Sequence, residues 1–210
     1  MVVAASPRSR ALIVLSVAVV AGVAAPLAAF AVVGWFSRYA ADDYCTAGQV
    51  VATGFWQAQS SLYVAWSGRF AATALITMVE LFGPGAVPLL PTLALLAWLA
   101  AVAWASAKLA AAFHRPIGPL PAVTLAAVLL YTTLRTTADL PQVLYWQTGL
   151  LTYLAPLVLA TVHVGWLAHL AGDGSAHVAD GRDRSAQRGG WLARLAPARP
   201  PSDAPSPARR

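Results

Sequence analysis

Two adjacent carboxylates, Asp42 and Asp43, follow the first long apolar run and are the strongest candidates for chemistry in this chain. Charged side chains close to a bilayer are expensive and usually serve a function. One carboxylate can take a proton from an attacking hydroxyl, and a pair can also hold a divalent cation such as Mg²⁺ or Mn²⁺. The alternative is structural: Asp43 caps a helix that begins near Tyr44, and Asp42 is solvated.

A cation follows further along the same loop, in the sequence Trp66-Ser67-Gly68-Arg69. The planar guanidinium of an arginine can hold a phosphate through two parallel hydrogen bonds. The alternative for Arg69 is that its long side chain only extends to the membrane interface. Trp66, just before it, is the aromatic group of this second candidate cluster.

A third cluster combines aromatic and amide side chains in residues 140–149. It contains Tyr145, Trp146 and Gln147, and Tyr153 follows close behind. Tyrosine and tryptophan at the end of a membrane helix commonly form an interfacial belt. The same groups can also stack on a sugar ring and hydrogen-bond to its hydroxyls, so both interpretations stay open.

The composition is that of a membrane protein. Of the 210 residues, 59% are apolar and 10% are charged, whereas a soluble domain has about 25% charged residues. The net charge is +6, but half of the fourteen Lys and Arg residues lie after residue 180. No basic stripe interleaves with aromatics, so nucleic acid is not a predicted partner. The single cysteine, Cys45, excludes an intramolecular disulfide.

Apolar runs predict an all-α membrane protein with about four transmembrane helices. Lys108, His114 and Arg115 cluster between the second and third runs, and a basic tail follows the fourth. The positive-inside rule places both basic clusters in the cytoplasm. The chain is then predicted to lie in the bacterial inner membrane with both termini on the cytoplasmic side. The Asp42 loop and the 139–148 loop then share the outer face. The predicted spans are 11–36, 87–113, 120–133 and 150–170.

The first external loop, residues 37–85, carries two further helical patterns. Residues 55–66 have the spacing of an amphipathic helix that lies on the membrane. Residues 70–82 are apolar but too short to cross ~30 Å of hydrocarbon, which predicts a re-entrant or surface helix. If they did cross, the Lys108 cluster would lie outside. Glu80 lies within this run, and both a functional and a surface-facing role are open.

Three further segments complete the predicted domain organisation. Residues 1–10 form a cytoplasmic N-terminus, residues 86–171 hold the last three transmembrane helices, and residues 172–210 form a disordered, basic, Pro/Ala-rich tail.

Taken together, the motifs resemble bacterial polytopic glycosyltransferases of the GT-C fold, and most closely the DUF6056-like group related to O-antigen or cell-wall glycosyltransferases. The resemblance covers roughly residues 10–170. It is carried by Asp42-Asp43-Tyr44, by Tyr63-Val64-Ala65-Trp66-Ser67-Gly68-Arg69 and by Tyr145-Trp146-Gln147-Thr148-Gly149.

The resemblance implies a polyprenyl-phosphate sugar donor that is used on the outer face of the membrane. The catalytic or metal-binding carboxylate would be Asp42 or Asp43, with Asp42 preferred, and Arg69 would lie near the lipid phosphate. The substrate-binding candidates are Tyr44, Trp66, Arg69, Tyr145, Trp146, Gln147 and Tyr153.

Enzymes of the GT-C fold usually have about eight or more spans, and their chain length follows from that number of spans. The expectation is therefore that this chain is the N-terminal part of such an enzyme, inactive until further helices or a second chain complete it. The alternative is a non-enzymatic accessory or assembly subunit of the membrane. A transporter fragment is disfavoured, because the longer spans carry almost no charge.

Overall fold

The computed structural model describes residues 7–66 and 68–172, and every regular element in these ranges is a helix. The predicted all-α class is therefore confirmed. Residues 1–6, Ser67 and residues 173–210, which include nearly all of the predicted tail, lie outside the described residues. The helices are α1 (Pro7–Gly34), α2 (Asp42–Thr53), α3 (Phe55–Ala65), α4 (Phe70–Glu80), α5 (Leu90–Ala112), α6 (Pro119–Thr136) and α7 (Gln147–Gly172).

Glycine and proline residues account for most of the helix boundaries. Gly54 separates α2 from α3 at a φ of 76°, and Gly83 follows α4 at a φ of 69°, a region that favours glycine. Pro91 and Pro119 lie in the first turns of α5 and α6, where a backbone N–H has no intrahelical partner. These residues divide the first loop into three short helices and start the long helices that follow.

Three helical stretches are long and apolar enough to cross a membrane. They are Arg10–Gly34, Pro84–Ala112 and Gln147–Gly172, with 25, 29 and 26 residues, and each exceeds ~30 Å at 1.5 Å per residue. The second of them includes a 3₁₀ turn, Pro84–Leu89, ahead of α5. The remaining predicted span coincides with α6, whose 18 residues extend about 27 Å.

The long helices form a bundle with alternating directions. The end of α1 contacts the start of α5, as shown by the distance of 2.5 Å that would separate an added Cβ at Gly34 from Pro91. The ends of α5 and α7 adjoin at Ala112 and Gly172, and α6 packs against both α1 and α5. The core cluster consists of Ile76, Leu95, Trp98, Leu130, Leu134, Leu144, Leu150, Leu151 and Leu154.

The short helices α2, α3 and α4 pack on one another at one end of this bundle. With 11 residues, α4 is about 16 Å long and cannot cross the membrane. It contacts a π-helical stretch of α7, Leu150–Leu154, while α2 contacts the first turn of α7. The two loops predicted to share the outer face therefore meet at the same end of the molecule.

Candidate functional site

Asp43 joins the first loop to the start of α7. Its side chain is fully buried, at 0% exposure. One carboxylate oxygen accepts hydrogen bonds from the backbone N–H of Thr148 at 3.1 Å and from its hydroxyl at 2.6 Å. The other accepts the Ala40 N–H at 3.0 Å. A negative charge is favourable at a helix N-terminus, so Asp43 stabilises the first turn of α7.

The prediction that Asp43 caps a helix beginning near Tyr44 is wrong. The helix α2 begins at Asp42, the preceding residue is Ala41, and no side chain caps that end. A carboxylate that spans 105 residues of sequence to reach Thr148 leaves no local pattern by which this role can be recognised.

Glu80 is a second buried carboxylate, with 5% exposure, which excludes the surface-facing role. It accepts hydrogen bonds from the hydroxyl of Tyr39, from Thr46 Oγ1 at 3.2 Å and from Gln147 Nε2. Burial, followed by the hydrogen bond and the charge of Glu80, raises the pKa of the Tyr39 phenol. Asp43 adds a smaller contribution in the same direction. Glu80 therefore ties α4 to α2, to the preceding loop and to α7.

Three consecutive residues at the start of α7 are anchored to three different segments. Trp146 donates its indole N–H to the Ala40 carbonyl at 3.1 Å, Gln147 donates to Glu80, and Thr148 donates to Asp43. Within the described part of the chain, the buried Oε1 of Gln147 has no hydrogen-bond partner. These bonds hold the first loop and α7 at a defined separation.

A cavity of about 300 Å³ lies between the anchored segments. It is bounded by α4 on one side and by α7 with its preceding π-helical turn, Pro141–Tyr145, on the other. Five of the candidate residues line it, and they come from three separate parts of the sequence. These residues are Asp42, Trp66, Arg69, Trp146 and Tyr153.

The other candidates lie around the cavity rather than in its lining. Asp43 and Gln147 are buried in the hydrogen-bond network described above. Tyr44 is exposed and makes an edge contact with Tyr39 at 5.7 Å between ring centroids. Tyr145 donates its hydroxyl to the Phe30 carbonyl at 3.3 Å, and burial raises the pKa of its phenol.

The carboxylate and the guanidinium of the cavity come from Asp42, at the start of α2, and Arg69, just before α4. Among the hydrogen bonds of the described residues, none ends on the Asp42 carboxylate, although its backbone carbonyl accepts one from Thr46. Asp42 is therefore the member of the acidic pair whose charge is available to a ligand.

Sequence reasoning did not assign several residues of the lining. Gln142 and Thr148 belong to the aromatic and amide segment that was singled out, so their proximity to Trp146 was the available signal. Thr73 follows Arg69 by one helical turn and donates to its carbonyl at 3.2 Å. Thr152 had no signal, because its position depends on the packing of α7 against α4. The remaining unassigned lining residues are Ala72, Ile76 and Gly149.

Gly149 allows the π-helical turn to lie directly on the first turn of α7. A Cβ at this position would lie 2.0 Å from the Gln142 carbonyl oxygen and 3.1 Å from the indole ring of Trp146. Both of these residues line the cavity, so the absence of a side chain at Gly149 allows the positions that Gln142 and Trp146 occupy in the lining.

An apolar groove of about 440 Å³ adjoins the cavity. The two share Arg69, Ala72, Thr152 and Tyr153, and the groove adds Phe70, Ala71 and Pro156. Polar groups therefore cluster at one end of a continuous surface and apolar groups at the other, a division suited to an amphiphilic molecule.

The described residues contain no group of three or more His, Cys, Asp or Glu side chains that could hold a metal ion. Both carboxylate oxygens of Asp43 already accept hydrogen bonds. Divalent cation binding by Asp42 and Asp43 stays a prediction, and Asp42 is the better placed ligand of the two.

Comparison with known proteins identifies no relative: no family model, no curated protein and no solved structure matches this chain. Fold and site together define a helical protein with membrane-length apolar helices and a polar cavity at one end of its bundle.

Proposed function

We propose that this chain is the membrane portion of a glycosyltransferase that moves a sugar from a polyprenyl-phosphate donor to an acceptor of the cell envelope. One observation carries the proposal: Asp42, Trp66, Arg69, Trp146 and Tyr153 line one cavity although they come from three separate parts of the sequence. These are the groups that such a transfer needs, namely a proton acceptor, a phosphate-binding cation and aromatic surfaces for a sugar.

In the proposed reaction, the acceptor hydroxyl attacks the anomeric carbon of the donor sugar. The new bond forms between the acceptor oxygen and that carbon, while the bond from the carbon to the phosphate oxygen breaks. Polyprenyl phosphate leaves with the electron pair, and Asp42 takes the proton of the hydroxyl. Arg69 neutralises the leaving phosphate.

The apolar groove supports a lipid-linked donor over a free nucleotide sugar. Phe70, Ala71 and Pro156 continue the cavity with an apolar lining on the far side of Arg69. A donor with its phosphate at Arg69 would place its sugar toward Asp42 and the tryptophans, and its chain along the groove. The other partners in this proposal are membrane lipids and a second chain or further helices that enclose the cavity.

The alternative is a non-enzymatic accessory subunit of the membrane, and the state of Asp43 favours it. That carboxylate is committed to structural hydrogen bonds, as a stable subunit without catalysis would require. The alternative does not account for the convergence of Asp42, Arg69 and three aromatic side chains on one cavity.

Sugar transfer by native membranes tests the proposal. Membranes from cells that lack the chain are compared with membranes from cells that express the parent chain or Asp42→Asn, using a labelled polyprenyl-phosphate sugar. Because any native partner is present, we expect transfer only with the parent, and a roughly 10²–10⁴-fold loss in Asp42→Asn. Equal transfer by all three membranes would refute the proposal, and full transfer by Asp42→Asn would remove that residue from the mechanism.

A further inference from the structure

The two helices α2 and α3, residues 42–65, form a hairpin that buries polar side chains together with apolar ones. Its buried side chains include Asp43, Thr46 and Gln59, at 0%, 2% and 3% exposure. A helical hairpin on a soluble surface buries its apolar face and exposes its polar face. Here the face that packs on the rest of the protein holds much of the polarity.

The inward polar groups are hydrogen-bonded. Gln59 Nε2 donates to the Phe70 carbonyl at 3.0 Å and to Thr73 Oγ1 at 2.9 Å. Thr46 donates to Glu80. Their burial is therefore part of the packing between the hairpin and α4, so the hairpin's orientation is well determined.

The outward face exposes large apolar side chains and has no charge, although the uncharged Thr53, Gln57 and Ser60 are exposed as well. Val51, Trp56 and Val64 are 85%, 79% and 81% exposed, and residues 44–68 contain no Lys, Arg, Asp or Glu. An exposed apolar surface of this kind marks contact with a membrane or with another protein.

Aromatic contacts connect this face to its neighbours at both ends. Tyr44, at the start of α2, meets Tyr39 at 5.7 Å between ring centroids. At the end of α3, Tyr63 meets Phe70 of α4 at 6.2 Å, and Phe70 is itself exposed. The exposed face is therefore continuous with the apolar side of α4, next to helices of membrane-spanning length.

We infer that the outer face of the α2–α3 hairpin is immersed in the lipid interface of the membrane. Lipid is favoured over a protein partner because the face has no charged group for specific pairing. It is also continuous with the apolar surface of the bundle and contains the tyrosine and tryptophan residues typical of the membrane interface. This inference does not depend on the proposed function.

Immersion of the hairpin also determines the depth of the cavity relative to the membrane surface. Trp66 and Arg69, at the end of the hairpin, line the cavity, and Arg69 and Phe70 line the groove beside it. A molecule held in the membrane could then reach the site without leaving the lipid interface.

Spin labelling tests the inference. In a Cys45→Ser background, Val51→Cys and Val64→Cys place a nitroxide on the outer face of the hairpin, where the exposed side chains make few contacts. Ala138→Cys, in the exposed loop before α7, is the aqueous control, and Leu96→Cys, exposed on α5, is the deep control. Collision rates with oxygen, which concentrates in lipid, and with a polar nickel complex are measured in lipid nanodiscs.

Both hairpin labels should collide with oxygen more often than with the nickel complex. Their depth should lie between those of the two controls, about 5–10 Å below the headgroup boundary. Equal behaviour to Ala138→Cys would mean that the face is in water, and low collision rates with both reagents would mean that protein covers it. Either result would overturn the inference.

Discussion

At the scale of single residues, two adjacent acids of the same type have different surroundings. Asp43 is fully buried and accepts three hydrogen bonds, one from Ala40 and two from Thr148. Asp42 contributes to the lining of the cavity. The sequence indicates the pair, but only the path of the chain around Thr148 separates the structural acid from the available one.

Replacing the two acids separately should therefore lower stability in one case and leave it nearly unchanged in the other. In Asp43→Asn, an amide N–H₂ replaces one acceptor and leaves a buried donor without its partner, which costs about 1–3 kcal/mol. In Asp42→Asn no such bond is lost, and the change should be within ~0.5 kcal/mol, as for a surface substitution. Thermal unfolding of both variants in detergent measures the difference, and equal stability would contradict the assignment of Asp43.

At the scale of elements, the cavity depends on how three helices meet. Local sequence predicts the long apolar helices and the short length of α4. It also predicts the helix ends at Gly54 and Gly83. The register between α4 and α7 does not, because Glu80 and Gln147 lie 67 residues apart and leave no mark of their pairing.

Some residues of the site can be predicted from the sequence, and others cannot. Asp42, Trp66 and Arg69 were found because charge and aromatic residues are rare in such an apolar chain. Thr152 was missed because a threonine in an apolar run most often bonds to its own helix. The π-helical turn before α7 has no pattern of its own, since its geometry follows from the close approach at Gly149.

Gly149→Ala tests whether that close approach shapes the site. The added methyl group would overlap with the Gln142 carbonyl, and overpacking of this kind destabilises by about 1–3 kcal/mol. Gly22→Ala is the matched control, because a Cβ there meets nothing within 4 Å. Thermal unfolding should show a loss only for Gly149→Ala, and equal midpoints for the two variants would show that the turn is free to shift.

At the scale of the whole molecule, the polar cavity and the basic cluster of Lys108 and Arg115 lie at opposite ends of the bundle. Lys108 is near the end of α5 and Arg115 follows it, whereas the cavity is at the start of α7. If the basic end is cytoplasmic, the cavity opens on the outer face of the membrane, where the proposed transfer takes place.

Labelling of single cysteines in intact cells tests this orientation. In a Cys45→Ser background, Ala138→Cys lies at the cavity end and Pro116→Cys at the basic end, and both positions are exposed. A membrane-impermeant maleimide should label Ala138→Cys in intact cells and Pro116→Cys only after the membrane is permeabilised. The reverse pattern would place the cavity in the cytoplasm.

Binding of polyprenyl phosphate to the purified chain tests the central claim most directly, because it needs neither a partner nor turnover. Arg69 lines both the cavity and the groove. Arg38, in the first loop, hydrogen-bonds to backbone carbonyls of Trp35 and Ser37 and serves as the matched control. Titration in detergent is followed by tryptophan fluorescence, because Trp66 and Trp146 line the cavity.

The parent chain and Arg38→Gln should bind with the same affinity. In Arg69→Gln the loss of a charged hydrogen bond of about 1.5–3 kcal/mol should weaken binding roughly 10- to 100-fold. Unchanged binding by Arg69→Gln, or no saturable binding by the parent chain, would contradict the assignment of this cavity to a lipid-linked phosphate.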